Sequence, residues 1–338
     1  MTLHHRVIVS DSSDPGEARR FAVGIASQLG FDAADAGRVA LVVTEASTNI
    51  IKHAAKGEIL LRTMTATEGG PGIEVIALDR GPGMSDVASC FRDGFSTAGS
   101  SGTGLGAISR LTNEFELHTR PEGGTALWAR IYPRGRRSFT PTDRMEIGAV
   151  RVAAPGESQC GDDWTLSHDE HGITLLVVDG LGHGPEAAKA SAAAVRAFRS
   201  GRPPEIILGE VHLALQTTRG AAGSCAVVDL AAQSVTFAGV GNVAGSIVSQ
   251  VGARNLVTQN GTLGAAHLGR IRAFDYPWIG GGCLVMWTDG LTSHTNTQGH
   301  PGLIARHPSL VAAVLYRDFV RGRDDATVVV VKETSARS

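Results

Sequence analysis

The sequence predicts an α+β protein in two domains, on three observations. Its 338 residues exceed the roughly 250–300 at which a single core stops growing. Strand and helix patterns come in blocks, with strands, then helices, then strands again in the second half, and not in strict alternation. One unusual pattern also occurs twice: an apolar strand ends in an aspartate and runs into a glycine-rich turn, in "VIALDRGPGM" at 75–84 and "LLVVDGLGHGPE" at 175–186. Glycine weakens strand interiors and a bare carboxylate at a strand end needs a partner, so each stretch marks a site. The polar, basic "YPRGRRSFTPTDR" at 132–144, with two prolines, reads as a linker. The expected division is therefore 1–135, a linker over 136–144, and 145–338.

Composition narrows the function. Hydrophobic residues make 42% and charged residues 19%, an ordinary globular mix, and the formal net charge is -2. Residues 1–135 carry 13 basic and 15 acidic side chains, and the remainder 18 of each. Without a clustered Lys/Arg excess, neither half is expected to bind nucleic acid or a membrane surface. The cysteines at 90, 160, 225 and 283 have no short spacings, which points to free thiols in a reducing compartment. The start lacks an apolar leader core, and no run approaches the ~18 apolar residues of a membrane span, so a soluble, cytoplasmic protein is expected.

In the first half, "HRVIVS" reads as a strand, and Ser13 or Asp14 can cap a helix with Pro15 in its first turn. Ala18, Phe21, Ala22, Ile25 and Leu29 recur at helical spacing up to Gly30. A second helix is expected over about 34–54, with Val39, Val42, Val43, Ala46 and Ile50 as its apolar face. Strands at 58–65 and 73–79, a helix "LGAISRLTNEF" and a hairpin "FELHTR"–"TALWARIY" complete the half. In the second half, strands over "MEIGAVRVAAPG" and "DDWTLSHDEHGITLLVVDG" precede helices at about 184–200 and 204–218. Hairpins through 224–250, a strand "CLVMWTDG", a helix near 308–321 and a strand "DATVVVVK" follow.

The first glycine-rich site reads as a nucleotide site. Glu45 and Asn49, four residues apart, stack on one helix face beside an apolar seam. Asp79 ends a strand just before Gly81 and Gly83, where a backbone can approach a flat ligand closely. "GSSGTGLGA" places Gly102, Gly104 and Gly106 at a helix start, whose exposed N–H groups and positive dipole end favour phosphate. No Gly-Lys-Ser/Thr occurs, which excludes a P-loop, and neither glycine cluster has the surroundings of a dinucleotide-binding fingerprint. A solvated polar strip would explain Glu45 and Asn49 alone, but not the ordered set.

"TEASTNIIKHA", "DRGPGM" and "GTGLGA" resemble the three boxes of the GHKL (Bergerat) ATP-binding fold, an α/β sandwich. Residues 7–132 are similar to the small serine kinases of bacterial partner switching, the anti-sigma-factor and stressosome switch-kinase family. The resemblance implies ATP with Mg²⁺ held by Asn49, and Glu45 as general base toward a substrate hydroxyl. It further implies that Asp79 meets the adenine amino group, with Gly81, Gly83 and Thr125 around the base, and that Gly102, Gly104 and Gly106 hold phosphates. Phosphoryl transfer independently needs a metal, a phosphate cradle and a group that orients the attacking hydroxyl.

In the second half, Asp162, Asp179, Asp289 and Asp324–Asp325 each lie in a turn or at a strand end. A single turn carboxylate is usually a cap. Several converging ones repel unless divalent cations neutralise them, and an all-oxygen set suits Mg²⁺ or Mn²⁺ better than zinc. Such a pair of ions can activate a water toward phosphorus. "PGESQCGDDW", "DGLGHGPEAA", "GVGN", "TDGL" and "RDDATVVVV" resemble the metal-dependent protein phosphatases of the 2C type, in the bacterial branch of the stage II sporulation and stressosome phosphatases. That resemblance implies an α-β-β-α sandwich. It makes Asp179 the bridging ligand, the Gly180 carbonyl, Asp289 and Asp324 further ligands, and Asp162 an outer one. His183 is read as a loop histidine near the site or as a ligand. Asp325 stands where an acid or an amide would serve, and Ser293 where the branch often has an acid.

The implied function is a bifunctional kinase and phosphatase acting on STAS-domain antagonist or scaffold proteins, with a sigma factor as a further candidate partner and a homo-oligomer left open. Two other arrangements remain: a phosphatase whose first domain is a regulatory nucleotide-binding module, or one whose first domain sequesters a sigma factor. Glu45 favours the first arrangement, because pure binding needs no base, although Glu45 could also position water.

Overall fold

The computed structural model describes residues 2–65, 70–87, 104–134, 145–168 and 172–334. The chain divides into two compact units, residues 2–141 and 142–338. Of the stretch read as a linker, residues 135–144 lie outside the described residues, while Tyr132 is buried in the first unit.

The first unit is an antiparallel five-stranded sheet with helices on one face. Its elements are β1 (His5–Val9), α1 (Asp14–Gln28), α2 (Ala33–Ala54), β2 (Gly57–Thr63), β3 (Ile73–Asp79), α3 (Gly104–Leu111), β4 (Glu114–Thr119) and β5 (Thr125–Ile131). The sheet order is β1-β2-β3-β5-β4, which puts β3 in the centre. Asp14 opens α1, and its carboxylate accepts hydrogen bonds from the Ser10 and Asp11 N–H groups (2.8 Å each), while Ser13 makes no side-chain cap. Asp32 caps α2 by accepting from the Asp35 N–H at 2.7 Å. The apolar faces meet as expected: Val39, Val42, Val43, Ala46 and Ile50 of α2 pack with Ile59, Leu61, Val75 and Ala129 of the sheet. One boundary differs. The helix expected through Phe115 ends at Leu111, and Glu114 already begins β4. The apolar Phe115 serves the strand, since its period fits both elements.

The second unit has four layers. Its strands are β6 (Met145–Val152), β7 (Asp162–His168), β8 (Gly172–Gly180), β9 (Ala221–Asp229), β10 (Ser234–Val240), β11 (Ala244–Ser249), β12 (Gly252–Asn255), β13 (Ala273–Pro277), β14 (Cys283–Trp287) and β15 (Ala326–Glu333). Its helices are α4 (Pro185–Ala197), α5 (Pro204–Leu215) and α6 (Pro308–Phe319). Two antiparallel sheets form, ordered β13-β10-β9-β8-β7 and β12-β11-β14-β15-β6. Their inner faces interlock through Trp164, Leu175, Val177 and Phe237 from one sheet and Ile247, Leu284, Met286 and Val329 from the other. α4 and α5 cover the outer face of the first sheet, where Ala190, Ala194, Ile207 and Val211 pack on Leu176, Val178 and Cys225. α6 lies on β6 and β15 of the second. This is the α-β-β-α arrangement.

The expected run of hairpins past residue 240 resolves differently: β10 pairs with β9 and β13, whereas β11 pairs with β12 and β14, so the chain changes sheets between them. The sequence reading gave no strand at β13, a short, largely exposed edge strand with a proline at its end.

Phe237 is fully buried between the two sheets. Phe237→Ala is expected to lower stability by about 3–5 kcal/mol in urea unfolding followed by tryptophan fluorescence. A change below about 1 kcal/mol would show that the inter-sheet core is not packed as described.

Candidate active sites

In the first unit, two clusters form along α2. Glu45 and Asn49 are half-buried at the edge of its apolar face. The start of α3 comes so close that a Cβ on Gly104 would lie 3.1 Å from Asn49 Oδ1 and 3.4 Å from Glu45 Oε2. Glu45, Asn49 and the first turn of α3 therefore share one small space. The N–H groups of a helix's first turn lie at the positive end of its dipole and favour an anion there. Gly106 is buried within α3, and Gly102 lies outside the described residues.

The second cluster gathers at the end of β3. Asp79 Oδ1 accepts hydrogen bonds from the Gly81 N–H (2.8 Å) and the Thr125 N–H (3.1 Å). Gly83 has φ +69, and a Cβ there would meet the Arg120 carbonyl oxygen at 1.9 Å, so only glycine fits. Thr119 ties the cluster together: its hydroxyl accepts from the Met84 N–H (3.0 Å), donates to the Gly124 carbonyl (3.1 Å) and lies 3.2 Å from Thr125 Oγ1. Gly81 packs on Ala54, five residues beyond Asn49 on α2, which is about 7.5 Å along the helix. The structure thus brings Asp79, Gly81, Gly83 and Thr125 together at one end and Glu45, Asn49 and Gly104 at the other. Asn49 supplies a neutral hard oxygen and Glu45 a carboxylate, a donor pair that fits Mg²⁺ beside phosphate. A groove of about 690 Å³ between α1 and α2, lined by Arg19, Leu41 and Thr44, contains none of these residues.

In the second unit, Asp162 and Asp179 are register partners on β7 and β8. Asp289 follows β14 and Asp324 precedes β15, neighbouring strands of the other sheet. Four acids from two sheets therefore face one another. Burial, then the charges of Asp162, Asp289 and Asp324, push the Asp179 carboxyl up to about 10. Burial also raises Asp162 to about 7 against the opposing hydrogen bond from Thr288, and raises Asp289 with help from Asp324. Reluctance to ionise together is what a divalent cation relieves, so the donor chemistry fits Mg²⁺ or Mn²⁺. Among the described residues, however, no three His, Cys, Asp or Glu side chains close into a ready cage around one ion. Protein donors hold two of the acids instead: Thr288 Oγ1 donates to Asp162 Oδ2 (2.7 Å), and Asn242 Nδ2 donates to Asp289 Oδ2 (2.6 Å).

Glycines here permit close approach. A Cβ on Gly180 would sit 2.3 Å from the Ala187 carbonyl oxygen, so the residue after Asp179 is small because α4 lies against it. On Gly290 it would sit 1.9 Å from the Asp325 carbonyl oxygen, which locks the Asp289 loop to the Asp324 loop.

Asp325 corrects the sequence reading. It is buried, and each carboxylate oxygen accepts one backbone hydrogen bond, from the Ala154 N–H and the Gly161 N–H, both at 2.7 Å. An amide has one acceptor only and could not serve equally. Asp325 therefore positions the strand that begins at Asp162, one residue past Gly161. Sequence reasoning also passed over Thr288 and Asn242, although both stand inside stretches it singled out, "TDGL" and "GVGN". Ser293 is exposed in the loop after Asp289. His183 is exposed in the loop after Gly180, and its Nδ1 lies 2.7 Å from Glu157 Oε1.

Fold and sites together define a kinase-like ATPase unit joined to a 2C-type phosphatase unit. The comparisons agree. Residues 9–131 match the family model of the histidine kinase-like ATPase domain, and residues 169–333 match that of stage II sporulation protein E (SpoIIE). The chain is 38% identical over 112 residues to serine/threonine-protein kinase RsbT of Bacillus subtilis (strain 168), covering 33% of this chain and 84% of RsbT. It is 27% identical over 120 residues to the anti-sigma F factor of Thermoanaerobacter sp. (strain X514), covering 35% of this chain and 84% of that protein. A solved chain from "The bacterial stressosome: a modular system that has been adapted to control secondary messenger signaling" is 27% identical with a TM-score of 0.50, over 56% of this chain and 100% of its own. The chain belongs to the RsbT family of kinase-like ATPase domains, followed in the same polypeptide by a SpoIIE phosphatase domain. It is a bifunctional partner-switching enzyme. Among the described residues, no helix is long and apolar enough to cross a membrane.

Asp325→Asn is expected to leave one buried N–H unpaired and to cost about 1–3 kcal/mol. The check is urea unfolding of wild type and variant side by side. Equal midpoints and slopes would show that the two backbone bonds are not what Asp325 provides.

Proposed function

We propose that the chain phosphorylates and dephosphorylates serine or threonine residues of STAS-type antagonist or scaffold proteins in a cytoplasmic bacterial partner-switching pathway. The observation that carries the phosphatase half is the crowd of acids around Asp179, whose charge makes sense beside divalent cations. Mg²⁺ or Mn²⁺, when bound, would lower the pKa of a water and set it in line with phosphorus. Asp179, Asp289 and Asp324 would hold the ions together with the Gly180 carbonyl, and Asp162 would hold them from the buried side. Thr288 and Asn242 each hold one oxygen of Asp162 and Asp289 and so fix how these carboxylates are aimed.

The space shared by Glu45, Asn49 and Gly104 supports the kinase half. Asp79, Gly81, Gly83 and Thr125 would take the adenine end of ATP, and Gly102, Gly104 and Gly106 its phosphates. Asn49 would contribute the oxygen for Mg²⁺. Glu45 would accept the proton of the substrate hydroxyl as its oxygen attacks the terminal phosphorus. The middle of α2 would thus serve the chemistry and its last turn the recognition of the base.

Two experiments test the halves separately. Asp179→Asn is expected to reduce Mn²⁺-dependent phosphoserine hydrolysis at least 100-fold, on the order of what loss of a catalytic group costs, while ATP binding is unchanged. Hydrolysis near the wild-type rate would refute the two-ion assignment.

For the kinase half, Asn49→Ala is expected to lose Mg²⁺-dependent ATP affinity by calorimetry. Glu45→Ala should bind ATP yet fail to label a STAS protein from [γ-³²P]ATP. Equal ATP affinity in wild type, Asn49→Ala and Asp79→Ala would refute the nucleotide site.

A further inference from the structure

We propose that Arg219 and Arg321 select phosphoproteins whose phosphoserine or phosphothreonine is flanked by acidic residues, pairing with those carboxylates at the rim of the phosphatase site. The inference rests on the phosphatase assignment and adds what the metal-facing acids cannot supply. Those acids serve the phosphoryl group, which every phosphoester shares, whereas a protein partner is chosen by the residues beside it.

The two guanidiniums reach the rim from the two sheets. Arg219 stands in the turn between α5 and β9, two residues before Ala221, which pairs with Gly180 in the ladder of β8 and β9. Thr218 fixes that turn: its hydroxyl donates to the Leu215 carbonyl (2.7 Å) and accepts from the Gly220 N–H (3.1 Å). The Leu181 N–H donates to the Gly220 carbonyl (3.1 Å), so the turn lies against the loop that follows Asp179. Arg219 extends over that loop, and a Cβ on Gly182 would sit 3.6 Å from its guanidinium. Arg321 follows α6 in the other half of the sandwich. Its N–H donates to the carbonyl of Gly290 (2.8 Å), one residue past Asp289. Burial and Asp324 raise the Asp289 carboxyl, and the Arg321 charge opposes them, so the guanidinium is felt at the acids.

Both side chains are free to take a partner. They are exposed, and neither guanidinium has a hydrogen-bond or ion-pair partner among the described residues. The carboxylates nearby are already matched. Glu157 is held by His183 and Glu186 by Lys189, while Asp325 uses both oxygens on backbone N–H groups. The Glu186 carboxyl is lowered first by Lys189 and only last by Arg219. Two divalent ions carry as much charge as four carboxylates, so with ions bound the ligand acids do not use up the charge of the two arginines.

Chain geometry sets which positions are read. An extended peptide rises about 3.3 Å per residue, so a carboxylate two or three residues from the phosphoserine lies about 7–10 Å from it. A guanidinium at the rim meets such a carboxylate in a planar, bidentate pair, which a lysine does not reproduce. Exposed pairs of this kind contribute modestly to affinity and act on which partner binds and how fast it arrives.

The test uses the full chain with Mn²⁺ and without ATP, on phosphoserine peptides with glutamates, glutamines or lysines at the second and third positions on either side. Wild type is expected to favour the glutamate peptide through a lower KM, and about 0.5 M NaCl should shrink the preference. Arg219→Gln and Arg321→Gln should each lower the glutamate-to-glutamine ratio of kcat/KM about two- to fivefold. Reversing both charges, Arg219→Glu with Arg321→Glu, should turn the preference toward the lysine peptide. Arg254→Gln, which removes the same charge from the exposed edge strand β12, should leave the ratio as in wild type. In NMR of the metal-free chain, an unphosphorylated glutamate peptide should shift the Arg219 and Arg321 Nε–Hε signals, identified by their loss in the variants, and not that of Arg254. A wild type without the acidic preference, or a ratio unmoved in both arginine variants or lowered equally in Arg254→Gln, would overturn the proposal. Equal losses on all three peptides would place the guanidiniums on the phosphoryl group itself and overturn it too. A wild-type chain inactive on every peptide would instead refute the phosphatase assignment on which the proposal stands.

Discussion

Repulsion among Asp162, Asp179, Asp289 and Asp324 is the constraint on which the phosphatase unit depends. Four like charges at this separation do not assemble by themselves, since each raises the cost of ionising the next. Two packed sheets overcome that cost by fixing the acids to strand ends. The ladder between β7 and β8 sets Asp162 opposite Asp179, and the ladder between β14 and β15 brings Asp289 and Asp324 into adjacent loops. The inter-sheet core centred on Trp164, Phe237 and Met286 then holds the two pairs together. The hydrophobic energy of that core is what the charges work against.

Around the acids sits a shell of donors. Thr288 and Asn242 each hold one carboxylate, and Asp325 uses both of its oxygens to bind the backbone beside Asp162. Charge-assisted bonds of this kind are the stronger hydrogen bonds, and they set orientation as well as energy. The result is a site whose ligands are aimed from outside while their inner faces stay crowded and electronegative.

The ATPase unit reaches its site by another route. Here one helix does the organising: α2 carries Glu45 and Asn49 in its middle, and its last turn buttresses Gly81. Its buried face is mostly apolar, with Asp35 and Ser47 buried on it as well, so the helix is fixed largely by packing and its polar edge needs no mutual repulsion to be resolved. A neutral amide and one carboxylate suffice beside a helix N-terminus, because the phosphates of the nucleotide bring the negative charge with them.

Local patterns in the sequence determined a great deal. Helical and strand periods located α1, α2 and α6 and most strands, and an aspartate followed by glycines marked the ends of β3 and β8. Those signals are legible because side-chain period and turn chemistry depend on neighbours a few residues apart. Tertiary structure alone decided the rest. The passage from β10 to β11 into another sheet, the edge strand β13 and the end of α3 at Leu111 depend on which strand pairs with which. The support of Asp162 by Thr288, 126 residues away, and the grip of Asp325 on Ala154 and Gly161, 171 and 164 residues away, arise only once register is set. The same is true of Gly180, whose missing side chain is explained by the α4 backbone lying against it. Sequence spacing carries no information about contacts across such distances, because the hydrogen bonds that define them exist only after the sheets have packed.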